Sequence, residues 1–148
     1  MRVVVQRVKE SSVKVDNKII GQIGYGYMLL VSFTKGDCEK TIDYMINKIL
    51  KLRIIDDANG IMNKNIVDIN GSILSISQFT LYADTKKGNR PSYVNALNSE
   101  EAEILYNLFN EKLSKFILVE TGKFKAEMEV SLVNDGPITI ILEKEELC

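Results

Sequence analysis

The 148-residue chain is predicted to fold as one mixed α/β domain, with two long helices packed on a curved, partly closed, barrel-like β-sheet. Three observations predict this architecture. Most apolar segments are short and follow strand patterns, helical periodicity occurs in two places only, and no repeat, linker or low-complexity tract divides the chain. With 45% hydrophobic residues, the sequence is too apolar to remain disordered. A chain of this length buries roughly 68–70% of its unfolded surface, so residues 1–148 are expected to form a single domain.

The first third of the chain is predicted to consist of strands. Apolar residues indicate strands at residues 3–8 and 13–15, and Asp16-Asn17-Lys18 is typical of a hairpin turn into a third strand. The continuous apolar run at residues 27–33 predicts a strand that is covered on both faces.

Two amphipathic helices are predicted, each with a polar residue at its start. Asp37 is the expected N-cap of the first helix, and Asn98 is the expected N-cap of the second, with Glu101 in a capping-box position. The apolar residues recur at helical spacing. They are Ile42, Met45, Ile46, Ile49 and Leu50 in the first helix, and Ala102, Leu105, Leu108, Phe109 and Leu113 in the second.

The remaining segments are predicted to be strands and turns. Asp56 to Gly60 indicates a turn, and Asn70-Gly71 is typical of a tight hairpin. Strands are expected at residues 72–81, 116–119, 126–132 and 138–142, and residues 83–93 are expected to form a loop.

Composition excludes several kinds of active site. The chain has no histidine, so a Ser-His-Asp triad is impossible and the commonest metal ligand is missing. Cys38 and Cys148 are far apart in sequence and predict neither a CxxC site nor a disulfide framework. No cofactor is expected, and any chemistry must come from hydroxyls, carboxylates, lysines or the backbone. A magnesium or manganese ion bound by carboxylates remains open, but the sequence has no Gly-rich phosphate loop or calcium-loop pattern that would indicate one. The 19 basic and 20 acidic residues give a net charge of −1, so any contact with nucleic acid requires a local basic patch.

The cellular setting is expected to be the reducing cytoplasm. The N-terminal MRVVVQRVKE lacks the apolar core of a signal peptide. The longest apolar stretches have five residues, whereas a membrane-spanning helix needs about 20. No contact with a membrane is expected.

The first candidate functional segment is Ser77-Gln78-Phe79-Thr80-Leu81-Tyr82, a strand end rich in hydroxyl and amide groups. A strand end that leads into a loop can leave successive N–H groups unpaired, which is the arrangement that an oxyanion hole requires. The alternative is that Ser77 and Gln78 only satisfy buried polar neighbours, and these residues taken alone favour that alternative.

The second candidate is Asn134-Asp135-Gly136-Pro137, which lies between two apolar strands. An ordinary turn explains this spacing. However, an X-Pro bond adopts the cis form at a cost of only about 0.5–1 kcal/mol, and a cis bond would point two carbonyl groups in one direction. Such a pair would bind an ammonium group or exclude a side chain of one hand, but the sequence does not decide the isomer.

These two segments resemble a known family. SQFTLYADTKKGNRPS and VSLVNDGPIT are similar to the two signature segments of the D-aminoacyl-tRNA deacylases. MRVVVQRV, LRIIDDANGIMN and VETGKFKAEMEV occur in the order found in that family. The resemblance extends from Met1 to about Leu142, leaving only the charged tail, Glu143 to Glu146, unassigned.

The resemblance implies a metal-free esterase that removes D-amino acids, or glycine mischarged on tRNA(Ala), from the terminal adenosine of tRNA. It implies a homodimer in which each active site lies at the subunit interface. Site residues follow from the matching positions. Ser77, Gln78, Phe79 and Thr80 would line the catalytic site. Gly136 and Pro137, oriented by Arg7, would form a Gly-cisPro motif that enters the partner subunit's site and rejects L-amino acids. Phe124, Met128 and Asn134 would contact the adenosine or the substrate.

The residues leave several alternatives open. Thr80 as a covalent nucleophile is ranked lower because no general base for it is identifiable. Lys86, Lys87 and Arg90 would either bind acceptor-stem phosphates or form a solvated loop, and the sequence leaves both alternatives open. The row of Lys48, Lys51 and Arg53 is a weaker candidate. A non-catalytic module that binds the tRNA end, and a pocket for a small metabolite, are the competing functions.

Overall fold

A mixed sheet of six strands forms around one long strand in the computed structural model, which describes residues 1–145 and 148. The remaining two strands form a separate short ribbon. The order of elements is β1 (Arg2–Val15), β2 (Lys18–Ile23), β3 (Gly26–Ser32), α1 (Glu39–Lys51), β4 (Ile55–Asp56), β5 (Met62–Lys64), β6 (Ser72–Ser77), a 3₁₀ turn (Phe79–Tyr82), α2 (Ser99–Leu113), β7 (Leu118–Thr121) and β8 (Glu129–Glu143).

Strand β1 is the centre of the sheet. Antiparallel β8 pairs with it along one edge, whereas β3 and β2 pair with successive halves of its other edge. Beyond β3, the sheet continues through parallel pairing with β6 and then β7. The two strands predicted at residues 3–8 and 13–15 are one strand, and that prediction was wrong. Polar Ser11 is tolerated within the strand because its hydroxyl donates to the Ser131 carbonyl at 2.8 Å.

Both helices are confirmed, but the N-cap predicted for the first one is wrong. Residue 38 occupies that position, and the Asp37 carboxylate instead accepts hydrogen bonds from the Thr34 N–H at 2.8 Å and the Met1 amine at 2.7 Å. Asn98 caps α2 as predicted, accepting from the Glu101 N–H at 3.0 Å.

The sheet separates two hydrophobic cores. On one face, both helices pack against β1, β3 and β6 through residues that include Val5, Leu29, Ile42, Met45, Ile73, Phe109 and Leu113. On the other face, the sheet curls around Val8, Val13, Ile23, Met28, Leu74 and Ile76. A Cβ placed on Gly21 of β2 would lie 2.8 Å from the Thr121 carbonyl oxygen of β7. This close approach of β2 to β7 gives the sheet the barrel-like curvature that the sequence predicts.

Of the predicted turns and strand ends, one is confirmed and several need correction. The Asp56–Gly60 turn is confirmed, since it joins two strands, β4 and β5. Asn70-Gly71 does not form a hairpin, because residues 66–70 form a turn, closed by the Gly71 N–H donating to the Ile66 carbonyl, and β6 pairs in parallel with β3. The strand predicted at residues 72–81 ends at Ser77. Residues 126–132 and 138–142 were predicted as two strands, but β8 runs through both regions as one strand.

The two cysteines are joined in a disulfide, which the sequence did not predict. Their sequence separation is 110 residues, but the Cα atoms lie 6.5 Å apart, a separation at which disulfides form. Folding brings the start of α1 and the chain end together, and sequence distance carries no information about that approach. Of the charged tail, Glu143 ends β8, whereas Glu146 lies outside the described residues.

None of the helices in the described part of the chain has the length and apolarity that a membrane crossing requires.

The start of β3 allows a test of the parallel β3–β6 pairing. A Cβ on Gly26 would lie 1.8 Å from the Ser72 carbonyl oxygen, and backbone cannot move aside as a flexible side chain does. We expect Gly26→Ala to lower the free energy of unfolding by at least about 1–3 kcal/mol, measured by urea denaturation. Gly24→Ala is the matched control, since a Cβ there meets no atom within 4 Å. Equal stability of the two variants would contradict the close approach.

Candidate active site

A cavity of about 660 Å³ lies where β6 ends, between the 3₁₀ turn, the N-terminal end of α2 and the segment that leads into β8. Five of the residues predicted for the site lie together in its wall. They are Ser77, Gln78, Phe79, Phe124 and Met128. Thr80 is not among the lining residues. The cavity is large enough for a small ligand or the end of a larger one.

The strand end leaves two backbone amides without acceptors. The Gln78 N–H continues the sheet by donating to the Val31 carbonyl at 2.8 Å. The next N–H to pair is that of Leu81, which donates to the Gln78 carbonyl at 3.2 Å and so begins the 3₁₀ turn. Between them, the Phe79 and Thr80 N–H groups have no hydrogen-bond partner within residues 1–145 and 148. Two successive N–H donors therefore remain at the start of the 3₁₀ turn, as expected at the first residues of a helical turn, and the first of them belongs to Phe79, which lines the cavity.

The side chains around these amides are fixed by local contacts. The Gln78 Nε2 group donates to the Thr80 hydroxyl oxygen. The Phe79 ring is 56% exposed and meets the Tyr93 ring edge to face, with 5.0 Å between the ring centroids. The Arg2 guanidinium lies 4.6 Å above the Tyr82 ring and holds the far end of the 3₁₀ turn. The turn thus has support at both ends.

The wall of the cavity is poor in acid–base groups. Tyr93 and Lys125 are its only ionisable lining residues in the described part of the chain, and no carboxylate faces it. The chain has no histidine. No group of three or more Asp, Glu or Cys residues within the described ranges is arranged to hold a metal ion. The groups available to polarise a bound ligand are therefore mainly backbone amides and hydroxyls.

The opposite wall carries the predicted adenosine-contacting side chains. Phe124 packs against Tyr106 with 5.9 Å between ring centroids, and Met128 lies so close to Gly122 that a Cβ there would be 2.6 Å from the sulfur. An aromatic ring and a thioether form a flat apolar surface that suits stacking against a planar ring.

The spacing of residues 134–137 is that of an ordinary turn between two strands. In the structure they instead form a protrusion within β8. β1 advances two residues, from Gln6 to Val8, while β8 spans five, from Asn134 to Thr139. Gly136 has a φ of +119°, and the Gly136–Pro137 peptide bond is cis. Neither residue lines the cavity of the same chain, and neither do Asn134 or Arg7. The resemblance implies that Gly136 and Pro137 enter the partner subunit's site, and within one chain they lie apart from the cavity.

Arg7 lies opposite the protrusion and contacts it directly. The guanidinium is only 4% exposed, and its Nε atom lies 3.3 Å from the Asp135 carbonyl oxygen and 3.2 Å from the Asp135 carboxylate. In the reverse direction, the Asn134 amide donates to the Arg7 carbonyl at 2.9 Å. Arg7 therefore contacts the segment that the resemblance implies it orients.

Comparison with known proteins identifies the family of this chain. A family model described as D-Tyr-tRNA(Tyr) deacylase matches residues 4–143. The chain belongs to this family. It is 54% identical over 145 residues to a D-aminoacyl-tRNA deacylase of Limosilactobacillus reuteri strain DSM 20016, covering 97% of this chain and 100% of that relative. The protein of the same name in L. reuteri subsp. reuteri strain JCM 1112 matches equally well.

Solved structures give the same fold. A structure described as c-Myc DNA Unwinding Element Binding Protein superposes with a TM-score of 0.93 at 41% identity, covering 99% of this chain and 100% of that one. A second structure, described as "a probable eukaryotic D-amino acid tRNA deacylase", superposes with a TM-score of 0.83 over 95% of this chain and 97% of that one. Its identity is 15%, so this likeness concerns the fold alone. Family membership makes this chain an enzyme of the deacylase class.

In this deacylase, the predicted phosphate-binding residues lie beside the cavity but not in it. Lys86, Lys87 and Arg90 are exposed on a loop whose ends are joined by backbone hydrogen bonds between Asp84 and Ser92, at 2.8 and 2.9 Å. Tyr93, the next residue, lines the cavity. The basic loop therefore projects from the mouth of the cavity.

Sequence reasoning missed three parts of the deacylase cavity. Tyr93 was read as the end of a loop, Lys125 carried no pattern, and the N-terminal residues Asn98 and Ser99 of α2 were read only as a helix start. Lys125 has a φ of +66°, which a side-chain pattern does not reveal. The position of Tyr93, directly after a basic loop, was the one usable signal.

Proposed function

We propose that this chain hydrolyses the ester that links a D-amino acid to the terminal adenosine of tRNA, and also glycyl-tRNA mischarged on tRNA(Ala). Such an activity proofreads chirality during translation in the cytoplasm. The observation that carries the proposal is the pair of N–H groups at Phe79 and Thr80, which have no partner among the described residues, beside a cavity whose described lining contains no carboxylate. Family membership supports the substrate class.

The chemistry needs little from side chains because an aminoacyl ester is already activated. Water adds to the ester carbonyl carbon, and the carbonyl oxygen becomes an oxyanion that the Phe79 and Thr80 amides stabilise. The tetrahedral intermediate collapses when its bond to the ribose oxygen breaks. The attacking water gives one proton to the neighbouring ribose hydroxyl of the substrate, and that hydroxyl passes its own proton to the departing ribose oxygen, so that the products are the free amino acid and tRNA. One preorganised donor of this kind is typically worth about 2.7–4 kcal/mol.

The tRNA end is held by two surfaces in this proposal. The terminal adenine stacks against Phe124 and Met128 on the apolar wall, with Asn134 as the further predicted substrate contact. The exposed loop bearing Lys86, Lys87 and Arg90 contacts acceptor-stem phosphates, which position the substrate without reading its sequence.

Handedness is sensed by a second copy of the chain. Gly136 and Pro137 protrude from β8 and are absent from the cavity wall of their own chain. This separation supports a homodimer in which each protrusion enters the partner subunit's cavity. The backbone carbonyls of the protrusion would then occupy the space that the side chain of an L-amino acid requires, so that D-amino acids and glycine are accepted. Contacts confined to the backbone accept many D side chains while refusing one hand.

A deacylation assay tests the proposal. We expect release of free amino acid from D-tyrosyl-tRNA at substoichiometric enzyme, with kcat/KM at least roughly a hundredfold above that for L-tyrosyl-tRNA, a difference of about 2.7 kcal/mol. Excess chelator should leave the rate unchanged, since the proposed reaction uses no metal.

Three outcomes would contradict the proposal in different ways. Binding of D-tyrosyl-tRNA without turnover would favour the non-catalytic tRNA-end module. Binding that is independent of salt would favour a small-metabolite pocket, because neutralising phosphates makes affinity fall with salt concentration. Loss of activity with chelator, restored by a metal ion, would overturn the metal-free mechanism.

Thr80→Ala distinguishes a lining residue from a nucleophile. The Thr80 hydroxyl accepts a hydrogen bond from Gln78, and no carboxylate or amine of the described residues is hydrogen-bonded to it. We therefore expect kcat to fall by less than about tenfold, or roughly 1.4 kcal/mol. Thr121→Ala, a half-buried residue outside the cavity wall, serves as the control. Complete inactivity, with an acyl group trapped on residue 80 of the wild type by mass spectrometry, would establish the nucleophile.

Mixing two variants with different defects tests whether the protrusion serves the partner's cavity. Gly136→Ala should distort the protrusion and lose selection against L-amino acids, because a Cβ would lie 2.6 Å from the Ile138 side chain and φ is +119°. Ala126→Trp should be inactive, because the new side chain fills the cavity that Ala126 lines. With Ala126→Trp in excess, nearly every Gly136→Ala chain is in a mixed dimer, and its cavity receives an intact protrusion. We therefore expect the ratio of kcat/KM for D-tyrosyl-tRNA over L-tyrosyl-tRNA to return toward the wild-type value. A ratio that stays at the value of Gly136→Ala alone, with both variants folded and dimeric, would mean that each chain uses its own protrusion.

A further inference from the structure

Four polar side chains that do not line the cavity meet at the base of the protrusion. They are Arg7, Tyr25, Asp56 and Asp135, and we call them the Arg7 cluster. Arg7 uses its Nη1 group to donate to the Ile54 carbonyl at 2.8 Å and to the Asp56 carboxylate at 3.1 Å. Its Nε group faces Asp135. The buried guanidinium thus contacts both the protrusion and the chain at the start of β4.

Tyr25 completes this cluster from a third direction. Its hydroxyl donates to the Oδ2 atom of Asp135 at 2.7 Å, and this same carboxylate oxygen lies 3.2 Å from the Arg7 Nε. Burial, followed by the hydrogen bond to Asp135, raises the pKa of Tyr25 to about 12. The hydroxyl therefore remains a protonated donor across the pH range of ordinary assays.

The backbone that carries Tyr25 is itself held in place. The Tyr25 carbonyl accepts from the Ser72 N–H at 3.1 Å, and Gly26 lies against the Ser72 backbone so closely that no side chain fits there. Tyr25 therefore projects from a rigid junction of β3 and β6, and its hydroxyl marks a fixed point beside the protrusion.

The protrusion needs such fixed points because sheet pairing does not hold it. Residues 135–138 have no partner in the β1–β8 register. Asn134 ties the two ends of the protrusion together by donating to the Arg7 and Ile138 carbonyls at 2.9 and 3.0 Å. Nearer the tip of the protrusion, Asp135 contacts Arg7 and Tyr25.

We propose that Tyr25 is a positioning residue for chiral selection: by holding the Asp135 carboxylate, it fixes the orientation of Gly136 and Pro137. This inference rests on the proposed function. Without the Tyr25 hydroxyl, Arg7 alone holds Asp135, and Arg7 is shared with Asp56 and Ile54. The protrusion then samples more orientations. The carbonyl groups that exclude L side chains lose their fixed place, whereas the amides that stabilise the oxyanion are untouched.

Tyr25→Phe tests this role because it removes one hydroxyl and retains the ring. We expect the ratio of kcat/KM for D-tyrosyl-tRNA over L-tyrosyl-tRNA to fall roughly tenfold, the effect typical of removing one hydrogen bond to a charged group. Most of the change should be faster hydrolysis of the L substrate. Tyr44→Phe is the matched control, since both tyrosines are 38% exposed and Tyr44 lies on α1. That control should leave the ratio unchanged.

Hydrogen exchange gives a readout that does not depend on activity. In Tyr25→Phe, peptides covering residues 133–139 should exchange their amide protons faster than in the wild type, and those of Tyr44→Phe should not. If wild-type protein releases no D-amino acid, the proposed function fails and hydrogen exchange alone decides the positioning role. If the wild type is active, an unchanged D/L ratio together with unchanged exchange in Tyr25→Phe overturns the proposal. An unchanged ratio with faster exchange also overturns it, since mobility would then have no effect on selection.

Discussion

Both functional regions lie where strand pairing in the sheet is interrupted or ends, and the first of these places is in the β1–β8 ladder. Before Arg7, the residue numbers in each β1–β8 pair sum to 145, as in Gln6 with Thr139. From Glu10 onward they sum to 143, as in Ser11 with Leu132. The ladder changes register between these two parts of β1, and the extra residues of β8 bulge out of the sheet there. Because β8 stays paired with β1 on both sides of the protrusion, residues 135–138 can move only a little even though they have no ladder partners. The protrusion is thus a consequence of two incompatible registers on one central strand.

A second pairing limit produces the candidate oxyanion site. The β3–β6 pairing runs until Val31 pairs with Ser77, and the Gln78 N–H makes its last hydrogen bond. The chain then tightens into a 3₁₀ turn, whose first amides necessarily lack partners within the turn. Since these donors are backbone atoms, their position is set by the sheet rather than by a side-chain rotamer. A donor that is already in place when charge develops on the substrate does not have to reorganise, and this is the source of its stabilising effect.

Local patterns in the sequence were sufficient for the helices and for most strand positions, but not for the way the strands continue or pair. The α2 cap at Asn98 was predictable because capping is a property of four consecutive residues. The continuity of β1 was not, because Ser11 reads as polar and its satisfaction by the Ser131 carbonyl depends on a strand 120 residues away. The same reason explains Asn70-Gly71, where a favourable hairpin dipeptide precedes a strand whose partners are parallel. For the site, Ser77 to Phe79 were predictable as an unusual strand end, whereas Lys125 depends on a left-handed backbone conformation that no pattern announces. The pairing of Cys38 with Cys148 likewise depends on how the chain ends meet.

The two functional regions divide the demands on a proofreading esterase between different atoms. In the proposed mechanism, rate depends on amides at the end of β6 and selection depends on carbonyls in the protrusion of β8, so a change in one region would leave the other in place. The polar side chains around the protrusion serve that separation, because Arg7, Tyr25 and Asp135 contact the backbone segment but do not line the cavity. An enzyme that recognised the amino acid through side-chain pockets would have to choose one substrate. A scaffold that instead fixes a few backbone dipoles responds only to the configuration at Cα. The absence of histidine from the chain is compatible with this arrangement, since neither hydrolysis nor selection requires a side chain that changes its charge.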